Sequence, residues 1–402
     1  MKKLIAIAVV FALVAGAAFA ETSVSGSLSV RARLLQDTIT DADGIHAVTN
    51  GEVETAYIQL SGQNDEGTFG ALARLRGNDG TSKFHRVFAW WKPIPQLNIW
   101  LGQDPDGKFG PYNAWSFYQG QESYAHDHDW DAWRAAFPGN WDTFGAAISI
   151  YPVQGLEFNL VVPIGGVGVG NGVNGLASWE PTYGNKPLDD LFLGSLQLAA
   201  VYAIPDIGRV FLNLLGPGEN IFDPNDIGGD SETDNKLKNP HYGRFGLAFL
   251  LTAVEGLDVQ LGLSTFIPGE AEDQPLAFSL IANYNSGDFG LRFRSRFFIN
   301  SAAAPGQGYN FGNYEEDAFQ VGADIQPFYN LGVLKAFLNI GFISHTPGNK
   351  DLDPTNQFIL NPYIRKGVGP GDIRIGLLLK DPNLDNDNDM QVSIPVQFTY
   401  SF

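Results

Sequence analysis

The chain of 402 residues contains no cysteine, only two methionines and only six histidines. The absence of cysteine excludes disulfide bonds, and it also excludes the cysteine that carries the lipid anchor of bacterial lipoproteins. After residue 20 the sequence has no run of eighteen consecutive apolar residues, so no transmembrane helix is predicted. The chain must therefore be stabilised by burial and hydrogen bonding alone.

Basic residues are scarce, with 25 lysines and arginines against 44 aspartates and glutamates. This acidic excess argues against a nucleic acid as partner, because nucleic-acid binding needs a basic surface. No nucleic-acid partner is predicted.

Residues 1–20 have the three-part layout of a secretory signal peptide. Lys2 and Lys3 are followed by an apolar stretch and by the small-residue sequence Ala18-Phe19-Ala20. We expect cleavage after Ala20 and a single domain over residues 21–402. Loss of Lys2 and Lys3 leaves 23 basic and 44 acidic residues, a formal charge of −21.

The remaining sequence alternates between apolar and polar residues. In TSVSGSLSVRARL (22–34), Val24, Leu28 and Val30 share one face, while serines and arginines occupy the other. A period of two over ten or more residues predicts a β-strand with one apolar face. Similar stretches cover 156–162, 243–251, 257–264, 288–299, 333–342, 372–379 and 393–402.

Short and long connections alternate along the chain. Turn residues mark short connections at 63–67, 151–155, 204–208, 254–256, 285–288, 329–332 and 369–372. Longer polar segments cover 37–51, 103–131, 165–190, 216–240, 301–316, 345–357 and 381–389. The pattern predicts nine hairpins and about eighteen strands, with sixteen as the alternative because the division of 77–100 and 131–151 is ambiguous.

Strands of about ten residues, joined alternately by short turns and long loops, favour an all-β transmembrane antiparallel barrel over a soluble β-sandwich. Strands of soluble sheets average five or six residues, and only a closed barrel pairs every backbone group in lipid. Aromatic residues near strand ends are predicted to form interfacial girdles. They are Tyr57, Trp90, Trp91, Trp100, Tyr151, Tyr202, Phe266, Tyr284, Phe328 and Tyr363.

The last strand, SIPVQFTYSF (393–402), places Ile394, Phe398, Tyr400 and Phe402 on one face and ends on an aromatic residue. The signal peptide, the hairpin series and this last strand together resemble the layout of Gram-negative outer-membrane porins. The resemblance implies short periplasmic turns, long extracellular loops, and recognition of these four residues by the barrel-assembly machinery. It also implies an outer-membrane location, contact with outer-membrane lipid and, commonly, a homotrimer.

In a membrane barrel the polar face of each strand lines the lumen. This phase predicts a basic inner wall, although the chain as a whole is acidic. The arginines either set the electric field of the pore or are neutralised by carboxylates that fold inward. The predicted pore-lining residues are Arg31, Arg33, Arg74, Arg76, Arg86, Arg244, Arg292, Arg294, Arg296 and Arg374.

Residues 102–133 form the candidate constriction loop. The segment is rich in aromatic and acidic residues and follows the fifth strand, where porins place such a loop. An acidic loop opposite a basic wall would create a transverse field that selects solutes by charge. The alternative is an outward surface loop. The candidate residues of the constriction loop are Asp104, Asp106, Trp115, Glu122, Asp127, Asp129 and Asp131.

Other site patterns in the sequence are weak. HDHDWD (126–131) and DNDND (385–389) could hold a cation, but neither has the spacing of a defined metal site. GNGVNG (170–175) has no following helix and so does not predict dinucleotide binding. No histidine pairs with a nucleophile at the spacing of a known motif. We therefore expect no cofactor, no metal and no enzymatic activity.

The predicted function is passive diffusion of small polar solutes and ions through a water-filled lumen. A channel that prefers sugars or phosphate is the first alternative. A surface adhesin or antigen is the second.

Overall fold

The computed structural model describes residues 20–39, 50–78, 81–103, 143–166, 197–215, 243–267, 276–301, 314–348, 354–381 and 390–402. Within those ranges no helix is long and apolar enough to cross a membrane. The β-strands are β1 (Ala20–Ile39), β2 (Asn50–Asn64), β3 (Phe69–Asn78), β4 (Thr81–Ile94), β5 (Leu97–Gln103), β6 (Thr143–Val153), β7 (Leu156–Gly166), β8 (Gln197–Ile204), β9 (Gly208–Leu215), β10 (Gly243–Val254), β11 (Leu257–Ile267), β12 (Leu276–Ser286), β13 (Phe289–Ser301), β14 (Tyr314–Asn330), β15 (Lys335–Thr346), β16 (Thr355–Val368), β17 (Gly371–Gly376), β18 (Leu378–Asp381) and β19 (Met390–Ser401).

The strands form one closed antiparallel barrel. Each strand pairs with the next along the chain except β17 with β18, and β1 pairs with β19, for example Val30 opposite Phe398. Both β17 and β18 lie between β16 and β19, so they are two segments of one strand, interrupted at Leu377. The barrel therefore has eighteen strands, which confirms the predicted fold class. The alternative of sixteen strands is wrong.

One end of the barrel carries the short turns. They lie at 65–68, 95–96, 154–155, 205–207, 255–256, 287–288, 331–334 and 369–370, and we call this the turn end. Gly256 and Gly369 adopt φ angles of 73° and 57°, a left-handed conformation that glycine reaches without the strain of a Cβ atom. All seven predicted short connections overlap one of these turns. The turn at 95–96 divides the ambiguous segment into β4 and β5.

The two faces of the barrel wall have inverted polarity compared with a water-soluble protein. Along β15, Phe337, Asn339 and Ile343 are buried, whereas Leu338 and Phe342 are exposed. Polar residues on the inner face of other strands are also buried, such as Asn159 and Gln260. Exposed apolar residues outside and polar residues inside are the pattern of a barrel whose outer face contacts lipid.

The prediction of an aromatic girdle is only partly correct. Trp91, Tyr202 and Tyr284 are exposed on the outer face. Trp90 and Trp100 instead face inward with ring centroids 6.0 Å apart, and Tyr363 stacks on the buried Phe337. The prediction used the position of each aromatic residue along its strand and ignored the alternation of faces, which decides whether a side chain points to lipid or to the lumen.

Candidate functional site: the inner wall of the barrel

Strand β13 places a column of arginines on the inner wall. In FGLRFRSRFF, Arg292 and Arg294 alternate with apolar residues such as Phe297, which is exposed on the outer face. Successive side chains of a β-strand point to opposite faces of the sheet, so residues two positions apart share a face. The spacing of the arginines in the sequence therefore produces the column. Arg296 continues it in the backbone register, opposite Ser279.

Arg294 is neutralised by a buried carboxylate. Its Nε donates to Asp324 Oδ1 at 2.7 Å and its Nη2 to Asp324 Oδ2 at 2.5 Å. Only 7% and 1% of the two side chains are exposed. This bidentate geometry is the strongest form of an arginine–carboxylate pair.

Arg292 has neutral partners instead. Its Nη1 donates to Gln326 Oε1 at 3.1 Å, and its Cζ lies 5.0 Å from the centre of the Phe328 ring. An aromatic face attracts a cation without cancelling its charge. Among the residues that the structure describes, Arg292 forms no ion pair, so its positive charge contributes to the potential of the lumen.

Phe328 belongs to a row of three inward-facing rings near the turn end. The Phe328 and Phe337 centroids are 5.3 Å apart, and Phe337 and Tyr363 are stacked in parallel at 4.6 Å. The row ends at Gly290 on one side, where an added Cβ would collide with the Phe328 ring. The stacked faces of Phe337 and Tyr363 cover each other, so the row acts as packing beneath Arg292.

Arg365 and Arg374 share one carboxylate close to the turn end. Asp372 accepts from Arg374 Nε at 2.7 Å and from Arg365 Nη2 at 3.1 Å. Arg374 Nη1 also donates to Gln397 Oε1 at 3.3 Å. Asp372 was not among the predicted inward-facing residues; it lies where the predicted connection 369–372 and the predicted strand 372–379 overlap. The alternation in Asp372-Ile373-Arg374 was the available signal.

Arg74 on β3 contacts an amide and an aromatic ring, as Arg292 does. Its Nε and Nη2 donate to Gln59 Oε1 at 2.9 and 2.5 Å, and its Cζ lies 4.6 Å from the centre of the Tyr57 ring. The backbone register sets Arg86 opposite Arg74 across β3 and β4. A second basic region of the wall is therefore proposed on these two strands.

For the remaining predicted arginines the structure describes the backbone and not the side chain. Arg31 lies opposite Gln397, Arg33 opposite Pro395 and Arg244 opposite Phe266. Arg76 lies opposite Tyr57 and Lys83. The pore-lining role of these residues, like that of Arg86 and Arg296, stays a prediction.

The inner wall of β5 to β7 differs in composition from that of β13 to β17. Asn98, Ser149 and Asn159 are buried there, and the Ser149 hydroxyl donates to Asn159 Oδ1 at 2.5 Å. The Tyr151 hydroxyl donates to Glu157 Oε1 at 3.2 Å. Amide and hydroxyl groups on this side, opposed to guanidinium groups on the other, make the described wall electrostatically asymmetric.

The candidate constriction loop lies almost entirely outside the described residues, which end at Gln103 on β5 and resume at Thr143 on β6. Its insertion into the lumen therefore stays a prediction. The HDHDWD segment also lies in this gap. Within the described ranges, no group of three or more histidine or acidic residues could hold a metal ion.

The last strand closes the barrel with the predicted face outward. Phe398, Tyr400 and Phe402 are 39%, 40% and 59% exposed, while Ser393 and Gln397 are buried. Phe402 exchanges two backbone hydrogen bonds with Gly26 at 2.8 and 3.0 Å, and its ring covers the space where a Cβ of Gly26 would lie. The role of these residues in assembly is a separate matter and stays a prediction.

The chain matches no protein-family model and no curated protein in sequence. Solved structures of similar fold include OpdQ of Pseudomonas aeruginosa, with a TM-score of 0.54 and 10% identity over 94% of this chain and 98% of that one. They also include OpdL of the same organism, with a TM-score of 0.54 and 11% identity over 95% and 99% of the two chains. The anion-selective porin of Comamonas acidovorans has a TM-score of 0.52 and 12% identity over 95% and 100%. At these identities the likeness establishes the fold alone, which is that of the outer-membrane porins.

Proposed function

We propose that the protein is an outer-membrane porin through which small polar solutes and ions diffuse passively, with a preference for anions. The observation that carries this proposal is the excess of cations on the inner wall between β13 and β17. Among the side chains that the structure describes on these strands, five inward basic groups are accompanied by two inward carboxylates, Asp324 and Asp372; the basic groups are Arg292, Arg294, Lys335, Arg365 and Arg374.

The electrostatic argument depends on the position of the charges and not on the net charge of the chain. Exposed charges further apart than the Debye length, about 10 Å at 0.1 M salt, are largely screened from each other. Acidic residues in the turns, and in loops that stay outside the lumen, therefore have little influence on an ion inside it. The guanidinium groups of the wall lie next to its path and raise the local concentration of anions.

The proposal is tested by the reversal potential of the purified protein in planar bilayers across a KCl gradient. We expect single-channel conductance and a chloride permeability greater than that of potassium. A greater potassium permeability would refute the basic-wall proposal. A complete lack of conductance would favour the alternative of a surface adhesin or antigen.

The acidic segment 102–133 is proposed as a loop that folds into the lumen and narrows it opposite the basic wall. Deletion of residues 110–128 tests this assignment. We expect a larger single-channel conductance, because the narrowest section of a channel limits its current. Unchanged conductance would show that the loop lies outside the lumen.

Three further elements of the proposal come from the resemblance to porins. They are the cleaved signal peptide, recognition of the last strand by the barrel-assembly machinery, and assembly into a homotrimer in outer-membrane lipid. N-terminal sequencing of the mature protein tests the first. Native mass spectrometry in detergent tests the trimer.

A channel that prefers sugars or phosphate remains the second candidate, and phosphate is the better supported of the two because guanidinium groups bind phosphate oxygens well. Block of chloride current by millimolar phosphate, without block by sugars, would favour it.

A further inference from the structure

Five neighbouring strands bring a row with four basic residues together near the turn end of the inner wall. In the backbone register Lys335 lies opposite Arg365, Arg365 opposite Arg374, Arg374 opposite Gln397, and Gln397 opposite Arg31. Side chains directly opposite each other in antiparallel strands are about 5 Å apart at Cβ. Like charges at this distance repel each other, so the row needs a compensating group.

Asp372 is the carboxylate that meets this need. Its two oxygens accept from Arg374 at 2.7 and 3.4 Å and from Arg365 at 3.1 Å. The Asp372 side chain is 8% exposed, whereas Arg374 is 15% and Arg365 is 31% exposed. The carboxylate therefore lies behind the two guanidinium groups, and the cations form the surface that faces the lumen.

The space beside this cluster is open. Gly367 lies opposite Asp372 in the β16–β17 register, and a Cβ at Gly367 would meet no atom within 4 Å. Arg365 is the most exposed arginine of the ion pairs in the described part of the wall. A solute that passes the turn end therefore meets Arg365 first among the paired arginines.

From this arrangement we infer that Asp372 is a specificity-determining residue of the channel, because it sets the net charge of the turn-end mouth. The three groups Arg365, Arg374 and Asp372 carry a net charge of +1. Without the carboxylate the same two guanidinium groups would carry +2 and would attract small anions such as chloride, carboxylates or phosphate more strongly. The inference rests on the proposed porin function and names the residue that limits its anion preference.

The test compares four forms of the protein by reversal potential at a mean KCl concentration near 0.1 M. They are the wild type, Asp372→Asn, Arg365→Gln and the double variant. The net charge of the three-residue cluster is +1 in the wild type, +2 in Asp372→Asn, 0 in Arg365→Gln and +1 in the double variant. We expect Asp372→Asn to raise the ratio of chloride to potassium permeability about twofold and Arg365→Gln to lower it about twofold. The double variant should return close to the wild-type ratio, because its net charge is the same.

Two controls accompany these variants. Glu255→Gln removes a carboxylate from an exposed turn at the same end of the barrel and should leave the permeability ratio unchanged. Arg365→Gln retains the Asp372–Arg374 pair, so it keeps the inference testable even where Asp372→Asn fails to fold in detergent. Circular dichroism establishes folding for each variant before the measurement.

The outcomes separate this inference from the proposed function. Anion preference of the wild type without shifts in Asp372→Asn and Arg365→Gln would overturn the role of Asp372 alone. Cation preference of the wild type with both expected shifts would overturn the basic-wall proposal alone. The absence of any conductance would overturn both.

Discussion

At the Arg294–Asp324 pair, two opposite charges share a site where 7% and 1% of their side-chain surfaces are exposed. Removal of water from both groups is costly, and their mutual attraction repays this cost only while both charges are present. The pair therefore fixes the spacing of β13 and β14 more than it adds net stability. Arg292, two residues earlier, has amide and aromatic neighbours and keeps its charge available to the lumen.

Replacement of Asp324 by asparagine should destabilise the barrel by about 3–5 kcal/mol, because it leaves the Arg294 guanidinium buried without its carboxylate. The free energy of unfolding, measured by denaturant titration in lipid vesicles, tests this expectation. Asp258→Asn is the matched control, since Asp258 also faces inward but is only partly buried. An equal decrease in the free energy of unfolding of the two variants would contradict the assigned role of the pair.

Arg292 provides a second test, in which charge and geometry are separated. Arg292→Gln should lower the ratio of chloride to potassium permeability about twofold at 0.1 M salt, since a nearby positive charge is lost. Arg292→Lys retains the charge and should retain the ratio. Reversal potentials in planar bilayers measure both. A similar drop in the two variants would show that the guanidinium geometry, and not its charge, determines selectivity.

Among the strands, the closing contact between β1 and β19 depends on one glycine. The Phe402 ring covers Gly26 on the outer face, and two backbone hydrogen bonds join these residues beyond the end of β19. An aromatic ring packed over a glycine fixes the register of neighbouring strands. This contact therefore holds the seam at which the barrel closes.

Gly26→Ala should destabilise the barrel by about 1–3 kcal/mol, because the new methyl group collides with the Phe402 ring and overpacks the seam. Gly367→Ala is the matched control, since its Cβ would lie in open space. Thermal unfolding followed by circular dichroism compares the two. The destabilisation should be smaller when Gly26→Ala is made in a Phe402→Ala background. If Gly26→Ala destabilises the barrel equally with and without the Phe402 ring, the ring is not the cause.

The strands themselves could be predicted from the sequence because alternation and turn residues are local signals. The turn at 95–96, in Pro93-Ile94-Pro95-Gln96, was ambiguous since it contains no glycine, asparagine or aspartate. The interruption at Leu377 follows Gly376, and a glycine inside a strand pattern is only a weak local signal of an irregularity. The partners of the arginines were a harder problem: Asp324 is 30 residues from Arg294, and only the interstrand register brings them together. Alternation shows which face a charge occupies but not which opposite charge it meets.

For the whole molecule, the formal charge of −19 and the proposed basic inner wall have opposite signs, and the salt concentration should decide which of them acts on a passing ion. The wall acts over a few ångströms, while the Debye length falls from about 10 Å at 0.1 M to about 3 Å at 1 M. We therefore expect the ratio of chloride to potassium permeability to fall towards unity as KCl rises from 0.1 M to 1 M at a constant gradient. Selection by size would not change with salt, so the exclusion limit for uncharged sugars in liposome swelling is the control. A permeability ratio that stays constant over this range would place the selectivity in direct, dehydrated contacts and not in the field of the arginines.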